Sequence, residues 1–565
     1  MSVHAPAGFA GEFHTDRAAR SAYSEGAGPF RIVPDAVAIP EDVGDLLALV
    51  RMAATQAISL VPRGAGSGMA GGNVGRGVLV DLHRLRRPLA VSIDQRANAG
   101  AGATLAEVNE AAGHLGLRLP PDPSSGRFCT IGGMTATNAS GARTFKYGSV
   151  RRWVQGVEFV TADGQAGWIG RKQGRTPRRP TKRQRRTLVE RLAVEDRFES
   201  RVRGTLLENR ARIAHCFPSG IKNSSGYALD AYLESEDILD LIIGSEGTLG
   251  FITRVELSLD FVPSAVSAVL LAIADIAAVG DIVTQLSTLD PSAIELLDRT
   301  FLEIAAPEAF PLQGVDAVLL VEFERGTTDA ARGVVGDAVR TTRPWCVYVE
   351  TALDATARER LWELRHAASR RLAELPPTRR SLQIVEDGCV PTEALGEYVC
   401  RVRQAAKDVA IEIVAFGHAG DGHLHVNALV DTTEPDFHER LRVLLDRVTE
   451  IIVTLHGTVS GEHGDGRLRA PVLERMYGAH VTSMFGMVKE AFDPAGILNP
   501  GVIVGGSGAD PLAHLKVGPA AAKIPEPIGR RLWEMERNGG WATPKLELCR
   551  GMNGPGEPVT DGTAP

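Results

Sequence analysis

Cysteine is scarce, with six residues in 565: Cys129, Cys216, Cys346, Cys389, Cys400 and Cys549, and no Cys-x-x-Cys pair among them. Such scatter excludes a dense disulfide framework, and it suits a reducing cytosol. Long apolar runs are missing as well. The most apolar stretch, Ala265 to Val283, is interrupted by Asp275 and Asp281. The opening MSVHAPAGFAGEFHTDR has no basic region leading into an apolar one, so neither a membrane span nor a secretory leader is expected. A positive surplus is also absent. Against 69 Asp and Glu stand 62 Lys and Arg, for a net charge of -7 and a pI near 6.1, which argues against nucleic acid as the main partner. One stretch reverses the balance: between Arg171 and Arg186 nine of sixteen residues are Lys or Arg with no acid, and Pro177 and Pro180 interrupt any helix. It reads as a solvated surface loop or a docking arm.

What is present is an ordinary globular composition, 44% hydrophobic and 23% charged, over a length that calls for two or more cores. Glycine is in excess at 61 residues, about 11% against a usual share of about 7%. From Ile58 an apolar run, ISLVP, leads into RGAGSGMAGGNVGRG and then VLVDL, which reads as strand, glycine loop, strand. Gly66 to Gly71 spells G-x-G-x-x-G, but a Rossmann fingerprint requires a helix after it to receive a pyrophosphate. A strand follows instead, and the Rossmann reading is rejected. The seven glycines from Gly64 to Gly77 still let successive backbone N–H groups face phosphate oxygens, although a ligand-free turn stays open on this loop alone. Two more small-residue segments follow, PPDPSSGRFCTIGGMTATNASGARTFKYGSV at Pro120 to Val150 and IGSEGTLGFIT at Ile243 to Thr253. Beyond them, strands are expected near Ala265–Ala272, Val315–Glu324, Cys346–Thr351 and Gln383–Asp387, with helices near Thr356–Ala373 and Glu393–Val409. That interleaving implies a second, α+β domain.

Six of the fourteen histidines fall between His418 and His463. In FGHAGDGHLHVNAL, Asp421-Gly422 between apolar runs signals a two-residue hairpin. That turn sets His418 directly across from His425, close enough to share a metal ion, with His423 facing the same side. SGEHGDGRLR, Ser460 to Arg469, implies a tight loop presenting Glu462 and His463. Two histidines and a carboxylate suit an open site for Zn²⁺ or another divalent ion, and hydrogen-bonding histidines on a polar hairpin are the alternative that spacing leaves open. Arg365, in LWELRHAASRRL, suits a substrate carboxylate or an exposed helix face.

Taken in order, the three glycine-rich segments resemble the FAD-binding domain of the vanillyl-alcohol oxidase and p-cresol methylhydroxylase superfamily. The second half resembles the FAD-linked oxidase C-terminal domain of D-lactate, glycolate and D-2-hydroxyglutarate dehydrogenases. The implied fold is α+β, a two-domain flavoprotein. It comprises an FAD-binding domain with an N-terminal extension (1–263), an α+β substrate or cap domain (264–485), a return segment to the flavin domain (486–505) and an extended tail (506–565). The resemblance implies that Pro62, Arg63, Gly64, Ala65, Gly66, Ser67, Gly68 and Gly72 wrap the FAD pyrophosphate. Pro121, Asp122, Pro123, Ser124, Thr130, Gly132, Gly133, Thr137 and Asn138 then line the cofactor, Glu246, Gly247 and Ile252 complete its cradle, and Asn499 approaches the isoalloxazine. Ser67 stands where some relatives carry a histidine bonded to the cofactor, so FAD is expected to be noncovalent.

The same resemblance implies His418, His425 and Glu462 as ligands of one divalent metal, Zn by preference, His463 in catalysis as proton acceptor, and Arg365 as carboxylate anchor. The implied activity is oxidation of a small-molecule D-2-hydroxy acid, D-2-hydroxyglutarate or D-lactate first; a cytoplasmic location, from the cysteine usage, and a homo-oligomer are separate expectations. A basic residue that the hydroxyglutarate branch carries has no match in QIVEDGCVP, and Arg143 and Lys146 are candidates to replace it. His423 stands where Asn is usual. GEHGDG, with its Asp465, and EDGCVP resemble long flavin and iron–sulfur fusion proteins, but Cys549 is alone in the tail, so the electron acceptor is expected to be a separate iron–sulfur protein or a quinone. Two other readings stay open: a non-redox flavin enzyme resembling alkyl-dihydroxyacetonephosphate synthase, and a flavin subunit that works only with an iron–sulfur partner.

Overall fold

The computed structural model describes residues 3–172, 188–189, 191–218, 220, 222–308 and 310–551. Most of the basic stretch from Arg171 to Arg186 lies outside the described residues. The strands flanking the first glycine loop, Leu60–Arg63 and Val78–Asp81, run parallel, with Leu60 opposite Val78 and Arg63 opposite Asp81. Parallel neighbours are ordinarily joined through a helix. Here residues 64–77 make the crossing without one, as expected from the strand that follows the glycines. Ala36–Ile39 pairs with Val78–Asp81 on its other side, and Glu12–His14 closes the edge.

These apolar strands are buried because each face is covered. Helix Val43–Gln56, capped by the Asp42 carboxylate on the Asp45 N–H, lays Leu46, Leu49, Val50 and Ala53 on one face. Helix Glu526–Asn538 covers the other, with Ile528, Leu532 and Met535 on Tyr23, Val37, Ile39 and Leu79. The expectation of an extended tail is corrected at this point. EPIGRRLWEMERN has apolar residues at helical spacing between Pro525 and Gly539, the usual helix punctuation. Residues 552–565 lie outside the described ones.

A second sheet has the order Leu188–Val189, Ala166–Gly170, Val154–Val160, Phe251–Ser258, Arg96–Gly100, Leu89–Ser92. Helix Leu105–Gly113, closed by a Thr104–Glu107 capping box, and helix Ile131–Thr137, capped by Thr130, lie against it.

The third sheet is antiparallel throughout. Its order is Cys346–Ala352, Ala265–Ile273, Ala317–Arg325, Ala293–Asp298, Glu412–His418, His423–Val430, Arg380–Leu382, with Gly388–Cys389 also paired to His423–Val430. Alternation divides its faces. One face, with Leu271, Ile294, Leu296, Leu319, Leu424 and Val426, packs under helices Val279–Ser287, Thr328–Thr342 and Leu395–Asp408. The other places Leu270, Leu297, Leu320 and Phe416 beneath helices Arg299–Ala305 and Ala355–Ala373. That second face also carries Glu295, Glu322, Glu324, His418, His423 and His425.

The expected strand Gln383–Asp387 leaves the sheet instead, between Arg380–Leu382 and Gly388–Cys389, because Glu386 and Asp387 are drawn into a polar cluster. Past helix Leu473–Phe492 the chain returns to the first sheet, where Leu498 bridges Leu60.

Candidate active site

The histidine hairpin has a longer turn than its Asp-Gly pair suggests. Ala419 to Asp421 form a 3-10 turn, Gly422 follows at φ 68°, and the register sets His418 opposite His423 and Phe416 opposite His425. The expected direct pairing of His418 with His425 is therefore corrected. A two-residue turn of that type needs positive φ at both central positions, and Asp421 is held in the 3-10 turn. The slip is by two residues, so the face is preserved and all three imidazoles still converge. Ring centroids of His418 and His425 lie 5.3 Å apart, and His423 lies 4.7 Å from His425.

Glu462 reaches this face from the Ser460 to Arg469 loop. Its Oε1 lies 3.3 Å from His418 Nε2 and 3.3 Å from His425 Nε2, and its Oε2 accepts from Lys222 Nζ at 2.8 Å and Ser140 Oγ at 3.0 Å. Burial favours the protonated acid, but Lys222 and His418 outweigh it and hold the Glu462 carboxyl well below the usual range. Donor atoms of His418, His423, His425 and Glu462 all lie within 4.8 Å of one another, so the residues present fit a divalent cation. A second cluster, Glu386, Asp387, His425 and His463, meets the same distance test. Its carboxylates are already engaged. Arg469 bonds Glu386, while Asp387 accepts from Ser460 Oγ at 2.8 Å, His463 N at 3.0 Å and Glu462 N at 3.2 Å.

Asp387 thus pins the backbone that presents Glu462 and His463. His463 stacks on His425 with centroids 5.1 Å apart and directs Nδ1 to Glu386 Oε2 at 2.7 Å. Burial disfavours its charged form, but Glu386 and Asp387 prevail and push its pKa up to about 9, so the neutral imidazole that can take a proton gains ground only as pH rises toward that value. Burial, aided by Lys222, pushes His423 down to about 3 and keeps it neutral.

Arg365 enters the same face from helix Ala355–Ala373. Its Nε donates to Glu295 Oε2 at 2.7 Å, and its guanidinium stands 5.0 Å over the Phe416 ring. Glu295 Oε1 meets His418 Nδ1 at 2.6 Å, so one buried carboxylate holds both Arg365 and His418. Burial works against its charge, yet His418 and Arg365 lower Glu295 to about 2. Arg143 and Lys146 are engaged elsewhere. Arg143 forks onto Glu322 at 2.8 and 2.9 Å and also bonds Asp122, while Lys146 reaches Glu324 at 3.1 Å.

The residues expected to cradle FAD gather around the first glycine loop. Among the described residues, no backbone N–H from Gly64 to Arg76 donates to a protein acceptor. A run of unspent donors fits a diphosphate. Gly66 takes φ 78°, and a Cβ there would collide with the Arg63 guanidinium. Thr130 presses on Gly64, Glu246 on Gly72, and Pro62 on Gly247. Asn499 Nδ2 donates to Gly72 O at 2.8 Å and Glu246 O at 2.9 Å. Asn138, Glu246 and Asn499 all have left-handed backbone, φ 51°, 50° and 41°, a strain that tends to mark functional positions. Gly132 packs on Ala101, and Gly133 and Thr137 lie on the partly open side of helix Ile131–Thr137.

Three expected cofactor residues have other engagements. The Arg63 guanidinium donates to Tyr23 O and Glu25 O, Asp122 takes Arg143, and Ile252 packs in the core. Sequence reasoning did not reach Lys222, Ser140, Glu295, Glu386 or Asp387 as site residues. For Glu295 a signal existed, a lone acid within the apolar run AIELL, and EDG was a second.

Residues 34–170 match the family described as FAD binding domain, and residues 262–503 match FAD linked oxidases, C-terminal domain. A D-lactate dehydrogenase of Archaeoglobus fulgidus is 30% identical over 475 residues, covering 82% of this chain and 90% of that one. A D-2-hydroxyglutarate dehydrogenase of Xanthomonas citri pv. viticola is 29% identical, covering 83% and 89%. The solved structure of p-cresol methylhydroxylase with substrate bound superposes with a TM-score of 0.62 at 13% identity, over 88% of this chain and 94% of that one, a likeness of fold. With a glycine cradle of unspent N–H donors, a cap sheet bearing a histidine–carboxylate cluster, and both family matches in their expected order, the chain belongs to the FAD-linked oxidases.

Proposed function

We propose that this protein oxidises a D-2-hydroxy acid to the 2-oxo acid with noncovalently bound FAD, D-lactate and D-2-hydroxyglutarate being the first substrates to test. The observation that carries the reading is the convergence of His418, His425 and Glu462 with Arg365 on a face joined to the glycine cradle. The Ser460 to Arg469 loop makes that junction, since Glu246 accepts from Asp465 N at 2.7 Å and from Gly466 N. His418, His425 and Glu462 would hold a divalent ion of the zinc kind. Bound there, the ion would supply acidification of the substrate hydroxyl, and FAD would supply a two-electron acceptor for the hydride on Cα.

The chain's own residues do the rest. Arg365, tethered through Nε to Glu295, keeps its terminal nitrogens for the substrate carboxylate, a bidentate match. His463 has Nδ1 committed to Glu386, which leaves Nε2, in its neutral form, to receive the hydroxyl proton. A proton thus goes to His463 as two electrons leave with the hydride, and the carbinol becomes a ketone. Electrons pass on to a separate acceptor, an iron–sulfur protein or a quinone.

The test is an anaerobic absorbance screen of zinc-loaded holoprotein against paired D- and L-2-hydroxy acids. Loss of the oxidised-flavin band with a D-acid is expected, and failure of every D-acid to bleach it sinks the reading.

A further inference from the structure

Lys222 approaches the histidine cluster from the flavin side, within KNSSGY just ahead of helix Leu229–Ser235. Its side chain is 1% exposed, and an ammonium so placed must spend its three donors on the protein. It does so on Glu462 Oε2 at 2.8 Å, His423 Nδ1 at 3.3 Å and Gly141 O at 3.4 Å. Asp421, buried with no hydrogen-bond partner on either carboxylate oxygen, lies 3.8 Å away and adds negative charge that favours the ammonium.

Two consequences follow for the ion site. Glu462 Oε2 is saturated by Lys222 and Ser140, so Oε1 alone is turned to His418 and His425. His423 has its Nδ1 on Lys222 and its Nε2 on Asp387 Oδ1 at 2.8 Å. No ligand atom of His423 is left, although its ring stands beside the other two.

We propose that Lys222 is a positioning residue that fixes the protein ligands of the divalent-ion site at three, His418, His425 and one oxygen of Glu462. The inference rests on the metal reading of the proposed function and adds what sets its coordination. Three protein ligands leave positions for the hydroxyl and carboxylate oxygens of a hydroxy acid, whereas a site completed by His423 or by a bidentate Glu462 closes toward the structural kind. Removing the ammonium releases both groups at once, His423 Nδ1 and Glu462 Oε2. It also removes a positive charge, so the ion itself should be retained.

The experiment uses FAD-loaded protein with one equivalent of zinc, read by X-ray absorption at the zinc edge and by steady-state kinetics with the best hydroxy acid. Wild type should show two imidazoles per zinc. Lys222→Met should keep zinc, gain an imidazole or a second carboxylate oxygen, and raise KM by about tenfold or more with a smaller change in kcat. Lys222→Arg, which keeps the charge, should restore part of the KM. His423→Asn, in case the Met variant does not fold, should leave the imidazole count at two. Unchanged zinc coordination and KM in Lys222→Met, loss of its zinc, or loss of an imidazole in His423→Asn overturns the proposal. Wild-type protein that takes up no zinc overturns the metal reading itself, and the part assigned to Lys222 with it.

Discussion

Glu295→Gln is the substitution that most directly separates a built site from a chance gathering of polar residues. Glu295 is fully buried and meets His418 Nδ1 at 2.6 Å and Arg365 Nε at 2.7 Å. A carboxylate can accept from both. A carboxamide of the same shape has one oxygen, so its NH2 must face one of the two N–H donors and a buried guanidinium loses its counter-charge. Breaking a buried pair in this way costs about 3–5 kcal/mol of stability. His418 loses the partner that fixes its tautomer and ring direction, which should weaken zinc binding about 10–100-fold. Arg365 loses its tether, so KM for the hydroxy acid should rise together with the zinc dissociation constant. The assay is urea unfolding of the metal-free protein, zinc titration against a competing chelator, and steady-state kinetics at saturating zinc. A Gln variant with wild-type unfolding midpoint and wild-type zinc affinity would refute the claim that Glu295 organises the site.

Arg365→Ala should lower kcat/KM by about two orders of magnitude while FAD stays bound, with Lys a poor replacement because it lacks the fork, and near-normal kinetics in the Ala variant would move the carboxylate site elsewhere. Acid precipitation should release the flavin into the supernatant, since Ser67 offers no imidazole for a covalent link, and flavin retained in the pellet would contradict this. Asp298 is buried, its Oδ2 makes no hydrogen bond and has only Arg403 at 3.7 Å, and burial outweighs that guanidinium to push it from 3.8 to about 7. A carboxyl whose folded pKa lies above its unfolded value costs stability as pH rises between the two, so Asp298→Asn, which can still cap Phe301 N, should stabilise more at about pH 8 than at about pH 4. Equal effects at the two pH values would remove the explanation.

Much of the architecture could be read in the chain because its signals are periodic. HLHVNALV alternates cleanly, so His423 and His425 were bound to share a face opposite Leu424 and Val426 whatever the turn did. VLVDL after the glycines excludes a Rossmann crossing from the sequence alone. The hairpin register was misread because Asp-Gly signals a turn without giving its length, and only the backbone shows that Ala419 to Asp421 form a 3-10 turn. Glu295 and Lys222 escaped for another reason. Each is defined by partners more than a hundred residues away, His418 for one and Glu462 for the other, and one-dimensional spacing carries no trace of such pairs. The tail misled through its Pro and Gly content, which hid a helix that gains stability only by packing on Tyr23 and Val37.

The two halves of the site must also be held at a fixed distance, because hydride transfer tolerates little displacement between donor and acceptor. One loop is bonded to both halves. Asp387 pins Ser460 to His463 on the cap side, and at the other end Asp465 N and Gly466 N bond Glu246, while Arg467 donates to Val74 O at 2.8 Å beside the glycine cradle. Gly466 is the critical contact. It has φ 51°, and a Cβ on it would collide with the Ala70 carbonyl. Gly466→Ala should therefore push the loop away from the cradle without removing any metal or substrate ligand. Zinc and FAD content should stay near wild type, while flavin reduction in single-turnover stopped flow slows about 100-fold, the scale of a misplacement near 1 Å. If Gly466→Ala reduces its flavin at the wild-type rate, the Ser460 to Arg469 loop does not set the distance between the two halves.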